Sequence, residues 1–261
     1  MKFKRIYVEI TNKCNLNCSF CSKLKRDYRE MSIGEFTRVI NEIKGFTEYI
    51  YLHLKGEPLI YPYLENIFDI AENNNIKVNI TTNGTNILKA YDAIKNSNCI
   101  RQINISLQAM ERVADKDKYL DGVKKIIELS KIKGFYVSLR IWIDNEEVNR
   151  YIHNYFVSHK IDMGENVHWS YDIEFEWPDI DGEFVSEYGT CLGTKTHIGI
   201  LANGDVVPCC LDGNGAIVFG NVFNESLKDI LSSSRFIKMR EGFNNNKLVE
   251  ELCRKCKYRR K

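Results

Sequence analysis

The sequence predicts an α/β fold with a parallel sheet, followed by a smaller C-terminal extension, and three observations carry that expectation. Short apolar, β-branched runs alternate with longer amphipathic stretches through the first two-thirds of the 261 residues. Such alternation lays helices over parallel strands joined by right-handed crossovers. The pattern changes after Trp177-Pro178-Asp179-Ile180-Asp181-Gly182, which sets the expected domains at 1–180 and 181–261. The cysteines divide in the same way: Cys14, Cys18 and Cys21 lie near the N-terminus, and Cys191, Cys209, Cys210, Cys253 and Cys256 lie in the last third.

The elements follow in order. Ile6–Ile10 reads as the first strand, and the run Cys14-Asn-Leu-Asn-Cys18-Ser-Phe20-Cys21 follows it on a loop. Ser32 and Glu35 form a capping-box pattern at the head of a helix over Ser32–Gly45, with Ile33, Phe36, Val39 and Ile40 as its apolar set. Strands are then expected at Tyr49–Leu54, Val78–Thr81, Ile103–Ser106, Tyr136–Ile143 and Val167–Ser170. Helices are expected at Leu64–Asn74, Ile87–Ser97, Tyr119–Lys133 and Asn145–Lys160. In the last third, His197 to Pro208 reads as a β-hairpin turning at Asn203-Gly204. A helix from Ser226 to about Glu241 follows, and Cys253-x-x-Cys256 closes the set.

Composition narrows the classes. Hydrophobic residues make up 44% and charged residues 28%, ordinary values for a globular protein with ample core. No apolar stretch approaches the length of a membrane span, and Met-Lys-Phe-Lys-Arg leads into a strand rather than a signal-peptide core, so a cytoplasmic protein is expected. A net charge of +2 argues against a general nucleic-acid binder. The basic tail from Arg254 to Lys261 could meet RNA or a phosphate, though solvated terminal charge is the commoner outcome. Nine cysteines, an odd number, do not suit a disulfide framework in a chain this long, and in a reducing compartment such clusters point to metal ligands.

Three thiolates this close together on a loop can ligate three corners of a cubane iron–sulfur cluster. The fourth iron then lacks a protein ligand, an open position of the kind catalytic metal sites keep. Zinc would want a fourth cysteine or histidine nearby, and His53 is the first histidine in the chain.

The C-x3-C-x2-C spacing, with Phe20 just before the third cysteine, resembles the signature of the radical S-adenosylmethionine (SAM) enzymes. The resemblance runs from Arg5 to Cys256 and implies an open, partial (β/α)6 barrel. It also implies a [4Fe–4S] cluster on Cys14, Cys18 and Cys21, whose open iron is chelated by SAM. In that family reductive cleavage of SAM yields a 5′-deoxyadenosyl radical that abstracts hydrogen from substrate. Active groups should then gather at the C-terminal ends of the strands. Lys55-Gly56-Glu57-Pro58 resembles the family's Gly-Gly-Glu-Pro loop, which binds the SAM amino group; lysine stands in place of its first glycine, so Gly56, Glu57 and Pro58 carry over. Thr82-Asn83-Gly84 resembles the family's Thr-Asn-Gly, and is also a plain turn sequence. Ser106 is expected at the SAM ribose or carboxylate. Arg140, on an apolar strand, needs an anion: either the SAM carboxylate or an ion pair with Glu9 or Glu57.

The second cysteine set resembles the auxiliary-cluster extensions called SPASM and twitch domains. Cys191, a hairpin, then Gly204 and Cys209 match their entry motif. Five cysteines are too few for the two extra clusters of a full SPASM domain. The shorter twitch form, a β-hairpin plus helix holding one auxiliary [4Fe–4S] cluster on Cys191, Cys209, Cys253 and Cys256, fits. A swap of Cys209 for its neighbour Cys210 stays open, and Cys99 reads as a buried apolar residue. A structural zinc site has similar ligands and spacing. The competing reading of the whole chain is therefore a zinc-dependent nucleic-acid-binding module with both cysteine sets structural.

A barrel with a twitch extension is shared by 2-deoxy-scyllo-inosamine dehydrogenase, and anaerobic sulfatase-maturating enzymes carry the longer form. The resemblance implies an oxidoreductase or maturase acting on a small molecule or a peptide, with the auxiliary cluster as electron acceptor and flavodoxin or ferredoxin as donor. Asp172, Glu174 and Glu176, between barrel and extension, could bind or deprotonate substrate, but none is assigned a catalytic role.

Overall fold

In the computed structural model, residues 1–142, 145–172 and 176–260 are described. The chain runs β1 (Arg5–Val8), α1 (Ile33–Ile43), β2 (Tyr49–Tyr51), α2 (Leu64–Asn73), β3 (Lys77–Thr82), α3 (Ile87–Asn96), β4 (Ile100–Ser106), α4 (Lys116–Lys133), β5 (Tyr136–Ile141), α5 (Glu146–Ser158) and β6 (Val167–Tyr171). Then come β7 (His197–Ile200), β8 (Val206–Val207), α6 (Leu227–Ile230), α7 (Ser234–Asn244) and α8 (Glu251–Arg254). Each strand expected from the sequence has a counterpart. Ile143, the expected end of the fifth, lies outside the described residues, as do Ile173, Glu174 and Phe175.

Two compact units form, one from Met1–Lys13, Phe20–Gly56 and Phe175–Lys261, the other from Cys14–Ser19 and Glu57–Glu174. In the first, β1 pairs in parallel with β2 on one side and β7 on the other, and β7 turns back antiparallel into β8 at Asn203-Gly204. In the second, β3, β4, β5 and β6 pair in that order, all parallel. The result is an α/β fold with mostly parallel strands, consistent with a partial barrel core and a C-terminal extension.

Local sequence explains these elements. The Ser32 side chain accepts from Glu35 N, and the Glu35 carboxylate accepts from Ser32 N, so the capping box stands as read. Helix α1 then buries Phe36, Val39, Ile40 and Ile43 along one stripe. Strand cores are Ile6 and Val8 in β1 and Ile103 and Ile105 in β4, all fully buried. The expected single helix from Ser226 to Glu241 is instead two, α6 and α7. Ser226 caps the first by accepting from Asp229 N, and Ser233 caps the second by accepting from Phe236 N. A second serine cap wins because its hydroxyl offers a backbone N–H an alternative to the helix ladder.

Candidate functional site

The residues singled out in the sequence sit where parallel strands end. Glu9 follows β1, the Lys55–Pro58 loop follows β2, Thr82–Gly84 closes β3, Ser106 is the last residue of β4 and Arg140 the penultimate residue of β5. Ser106 and Arg140 are direct register partners across the β4–β5 pair. The guanidinium of Arg140 also lies 5.0 Å from the Trp142 ring centroid.

In the second unit, Glu57 is only 1% exposed. Its Oε1 accepts from Leu59 N at 2.9 Å and from Thr82 Oγ1 at 2.7 Å, and its Oε2 accepts from Asn83 N at 2.6 Å. Glu57 thus ties its own loop, including the short 3-10 turn that begins at Pro58, to the end of β3. Burial raises its pKa to about 7, against those three donors, which favour the carboxylate. A carboxylate has about four lone-pair sites, so the three bonds leave it capacity for one further donor. The same strand end reaches Cys14. Asn83 Nδ2 lies 3.8 Å from Cys14 Sγ and donates to Asn15 Oδ1 at 2.9 Å, while Asn15 donates to Thr85 Oγ1 at 2.8 Å. The Tyr119 hydroxyl donates to Asn83 O at 3.1 Å, and burial, with the charges of Glu57 and Cys18 adding, pushes it far up.

In the first unit, Gly56 takes φ +78°, and a Cβ there would stand 2.3 Å from Thr11 O and 2.8 Å from Lys13 O. Only glycine fits, which pins the loop against the segment leading into the cysteine run. Gly56→Ala is therefore expected to cost at least roughly 1–2 kcal/mol for the left-handed backbone alone, plus the clash. The measurement is a thermal melt beside wild type; an unchanged midpoint would contradict the close approach.

Glu9, fully buried, receives the Arg26 guanidinium at 2.8 and 2.9 Å, Lys55 N at 3.1 Å and Ala202 N at 3.1 Å. Burial raises its pKa while Arg26 pulls it down. Arg26 also donates to Gly213 O at 2.8 Å. The ion pair with Glu9 that the sequence left open for Arg140 is made by Arg26. Phe20 is anchored through its carbonyl, which accepts from Trp177 Nε1 at 2.8 Å.

None of the nine cysteines is joined in a disulfide. Those of the extension influence one another. Burial, with Cys210, Cys191 and Cys253 adding, pushes the Cys209 thiol well up; burial, with Cys191 and Cys256 adding, raises Cys253; burial and Cys191 raise Cys256. A Cβ built on Gly193 would lie 3.7 Å from both Cys191 Sγ and Cys209 Cβ. Cys210 packs against Tyr7, Leu54, Leu201 and Val207. Among the described residues no three His, Cys, Asp or Glu side chains form a closed metal-ligand set. Thiolates are nonetheless the ligand type an iron–sulfur cluster takes, and Cys191, Cys209, Cys253 and Cys256 lie near enough for their charges to act on one another. Cys99 is buried, 3.1 Å from Ser97 Oγ, as a structural cysteine should be. Of the linker carboxylates, Glu176 pairs with Lys257 at the surface.

Sequence reasoning missed Arg26 and Trp177 as partners of Glu9 and Phe20. Each acts across more than ten residues of chain, and no local spacing marks them.

Comparison with known proteins agrees with this arrangement. The model of the radical SAM superfamily matches residues 8–155, and that of an iron–sulfur cluster-binding domain, SPASM, matches residues 191–257. The chain belongs to the radical SAM superfamily and carries an auxiliary iron–sulfur domain. A probable GTP 3′,8-cyclase of Methanococcus maripaludis is 32% identical over 129 residues, 46% of this chain and 43% of that protein. A tungsten-containing aldehyde ferredoxin oxidoreductase cofactor-modifying protein of Pyrococcus furiosus is 31% identical over 86 residues, 31% of this chain and 24% of that protein. The chain thus spans under half the length of these curated relatives.

Among solved structures, BtrN in complex with AdoMet and 2-DOIA superposes with TM-score 0.62 at 17% identity, covering 98% of this chain and 94% of that one. Streptococcus suis SuiB bound to precursor peptide SuiA superposes with TM-score 0.55 at 16% identity, covering 92% and 67%. At such identities these likenesses establish the fold. Family membership makes the chain an enzyme whose domains bind SAM, a [4Fe–4S] cluster and auxiliary iron–sulfur clusters. The nucleic-acid-binding zinc module finds no support. No helix among the described residues is long and apolar enough to cross a membrane.

Proposed function

We propose that this enzyme uses SAM to oxidise a small-molecule or peptide substrate by two electrons, with residues 1–180 as the radical SAM barrel and 181–261 as the auxiliary-cluster domain. The observation that carries the reading is the difference between its two cysteine sets. Cys14, Cys18 and Cys21 supply three ligands and leave one iron for SAM; Cys191, Cys209, Cys253 and Cys256 supply four and leave none, which suits an electron acceptor. When bound, SAM and its cluster supply hydrogen-atom abstraction, and the second cluster an electron sink.

The chain's own residues bind and orient. Gly56, Glu57 and Pro58 shape the loop for the SAM ammonium, with the spare acceptor capacity of Glu57 taking a charge-assisted hydrogen bond. Ser106 and Arg140, register partners at the β4–β5 edge, offer a hydroxyl and a guanidinium to the ribose and carboxylate. Phe20 flanks the third cysteine. A flavodoxin or ferredoxin in the cytoplasm is the proposed reductant. The likeness to BtrN, solved with 2-DOIA, and to SuiB, solved with precursor peptide SuiA, supports keeping both substrate classes in the proposal. Product analysis under reducing, anaerobic conditions with an amino-cyclitol alcohol and with a short peptide tests the reading. Two-electron oxidation of either supports it, and SAM-dependent cyclisation of GTP instead would overturn it.

Glu57 gives a pH test. A group with its pKa raised to about 7 is protonated below that pH, and only the carboxylate attracts an ammonium. SAM affinity is expected to fall as pH drops through 7, approaching tenfold per unit below it. Glu57→Gln should weaken binding by about 1.5–3 kcal/mol and flatten the profile. Calorimetry between pH 6 and 8 measures both, and a wild-type affinity independent of pH would remove Glu57 from the ammonium site.

A further inference from the structure

Lys55 stands where the family's loop carries glycine, and its side chain has a specific course. It is 6% exposed. Its Nζ donates to Ser22 O at 2.6 Å and to Ser22 Oγ, lies 3.9 Å from Cys21 Sγ, and sits 4.5 Å from the centroid of the Trp177 ring. A buried ammonium needs partners, and those it bonds here are a carbonyl, a hydroxyl, a sulfur and an aromatic face. Glu9 is close but bonds the Lys55 backbone N–H, and its carboxylate is held by Arg26. The group of Glu9, Arg26 and Lys55 therefore carries a net positive charge on the side facing Cys21. Gly213 makes room for this course, since a Cβ there would stand 2.9 Å from Lys55 Cγ and 3.0 Å from Cε. Trp177 in turn is fixed by its bond to Phe20 O.

We propose that Lys55 is a positioning and tuning residue: its ammonium, held against Cys21 Sγ, raises the reduction potential of the SAM-binding cluster and so eases the one-electron reduction that SAM cleavage requires. The inference rests on the reading of Cys21 as a ligand of that cluster. The potential of an iron–sulfur centre is set by net charge, hydrogen bonds to its sulfurs and solvent exposure, and Lys55 acts on the first two, through its ammonium and its contact with Cys21 Sγ. Reduction adds one electron, taken from an external one-electron donor of the flavodoxin or ferredoxin class, and transfers no proton. A fixed positive charge beside the ligand sulfur stabilises the form carrying that electron.

The experiment is an anaerobic redox titration with dithionite of the reconstituted full chain, followed by electron paramagnetic resonance. The signal altered by SAM reports this cluster, and the other signal serves as internal reference. At the wild-type midpoint, Lys55→Met is expected to lower the ratio of reduced to oxidised SAM-responsive cluster about tenfold, a shift of ~59 mV for one electron. Lys55→Arg should hold the ratio near wild type, and the reference signal should not move. Lys55→Gln, which keeps a donor for Ser22 O, should behave as Lys55→Met does if the methionine variant fails to fold. An unchanged ratio in a neutral variant that retains iron and its response to SAM would overturn the tuning role. So would loss of the cluster from both neutral variants, which would make Lys55 a structural residue. A SAM-responsive signal that survives Cys21→Ala would instead overturn the ligand reading itself, independently of Lys55.

Discussion

Replacing Cys14, Cys18 and Cys21 together by alanine is expected to abolish release of 5′-deoxyadenosine from SAM and to remove about half the iron, leaving about four atoms of some eight. The three cysteines follow β1 within one short run of chain, and they are the proposed ligands that would leave an iron open. Cys14 faces Asn83, and Cys18 lies within electrostatic reach of Tyr119. None of the three is needed to fill the core: Cys14 and Cys21 are exposed and Cys18 half-buried. The variant should therefore fold, keep its auxiliary iron and lose SAM chemistry alone. Liquid chromatography of the reaction with dithionite reads the loss. Turnover that persists in the triple variant would refute the assignment.

Single replacement of Cys191, Cys209, Cys253 or Cys256 is expected to do the reverse. Each should cost up to four irons and destabilise the extension, because cluster binding there is coupled to folding of short elements. Helix α8 has four residues and β8 two, too little apolar surface to hold the segment without a staple. SAM cleavage should continue, while formation of oxidised product falls to background. Cys210→Ala should change iron content little, since that side chain packs against Tyr7, Leu54, Leu201 and Val207. Iron lost from Cys210→Ala and retained in Cys209→Ala would exchange the two. Full product yield without the auxiliary iron would remove its role as acceptor.

What the sequence disclosed is what short-range patterns encode. The C-x3-C-x2-C run, the Gly56-Glu57-Pro58 turn and the Ser32–Glu35 capping box are written within a few residues each, and strand–helix alternation gave β1 to β6 in order. What stayed hidden depends on distant partners. The Glu9 carboxylate is satisfied by Arg26 and Ala202 N, 17 and 193 residues away. Lys55 looked like a departure from a motif, and only the course of its side chain past Gly213 to Ser22 and Trp177 gives it a task. Glu57 was legible as an acid at a turn, but its three protein donors come partly from Thr82 and Asn83, on another strand end. The break between α6 and α7 was missed for a different reason: Ser233 reads equally well as a helix interior residue or as a cap until its bond to Phe236 N is seen.

The most direct test of the central claim is a single anaerobic preparation of the full chain, analysed for metal and then mixed with dithionite and SAM. The expected protein is brown, holds about eight irons and little zinc, and releases 5′-deoxyadenosine and methionine. A colourless protein that holds zinc at both cysteine sets and leaves SAM intact would contradict it.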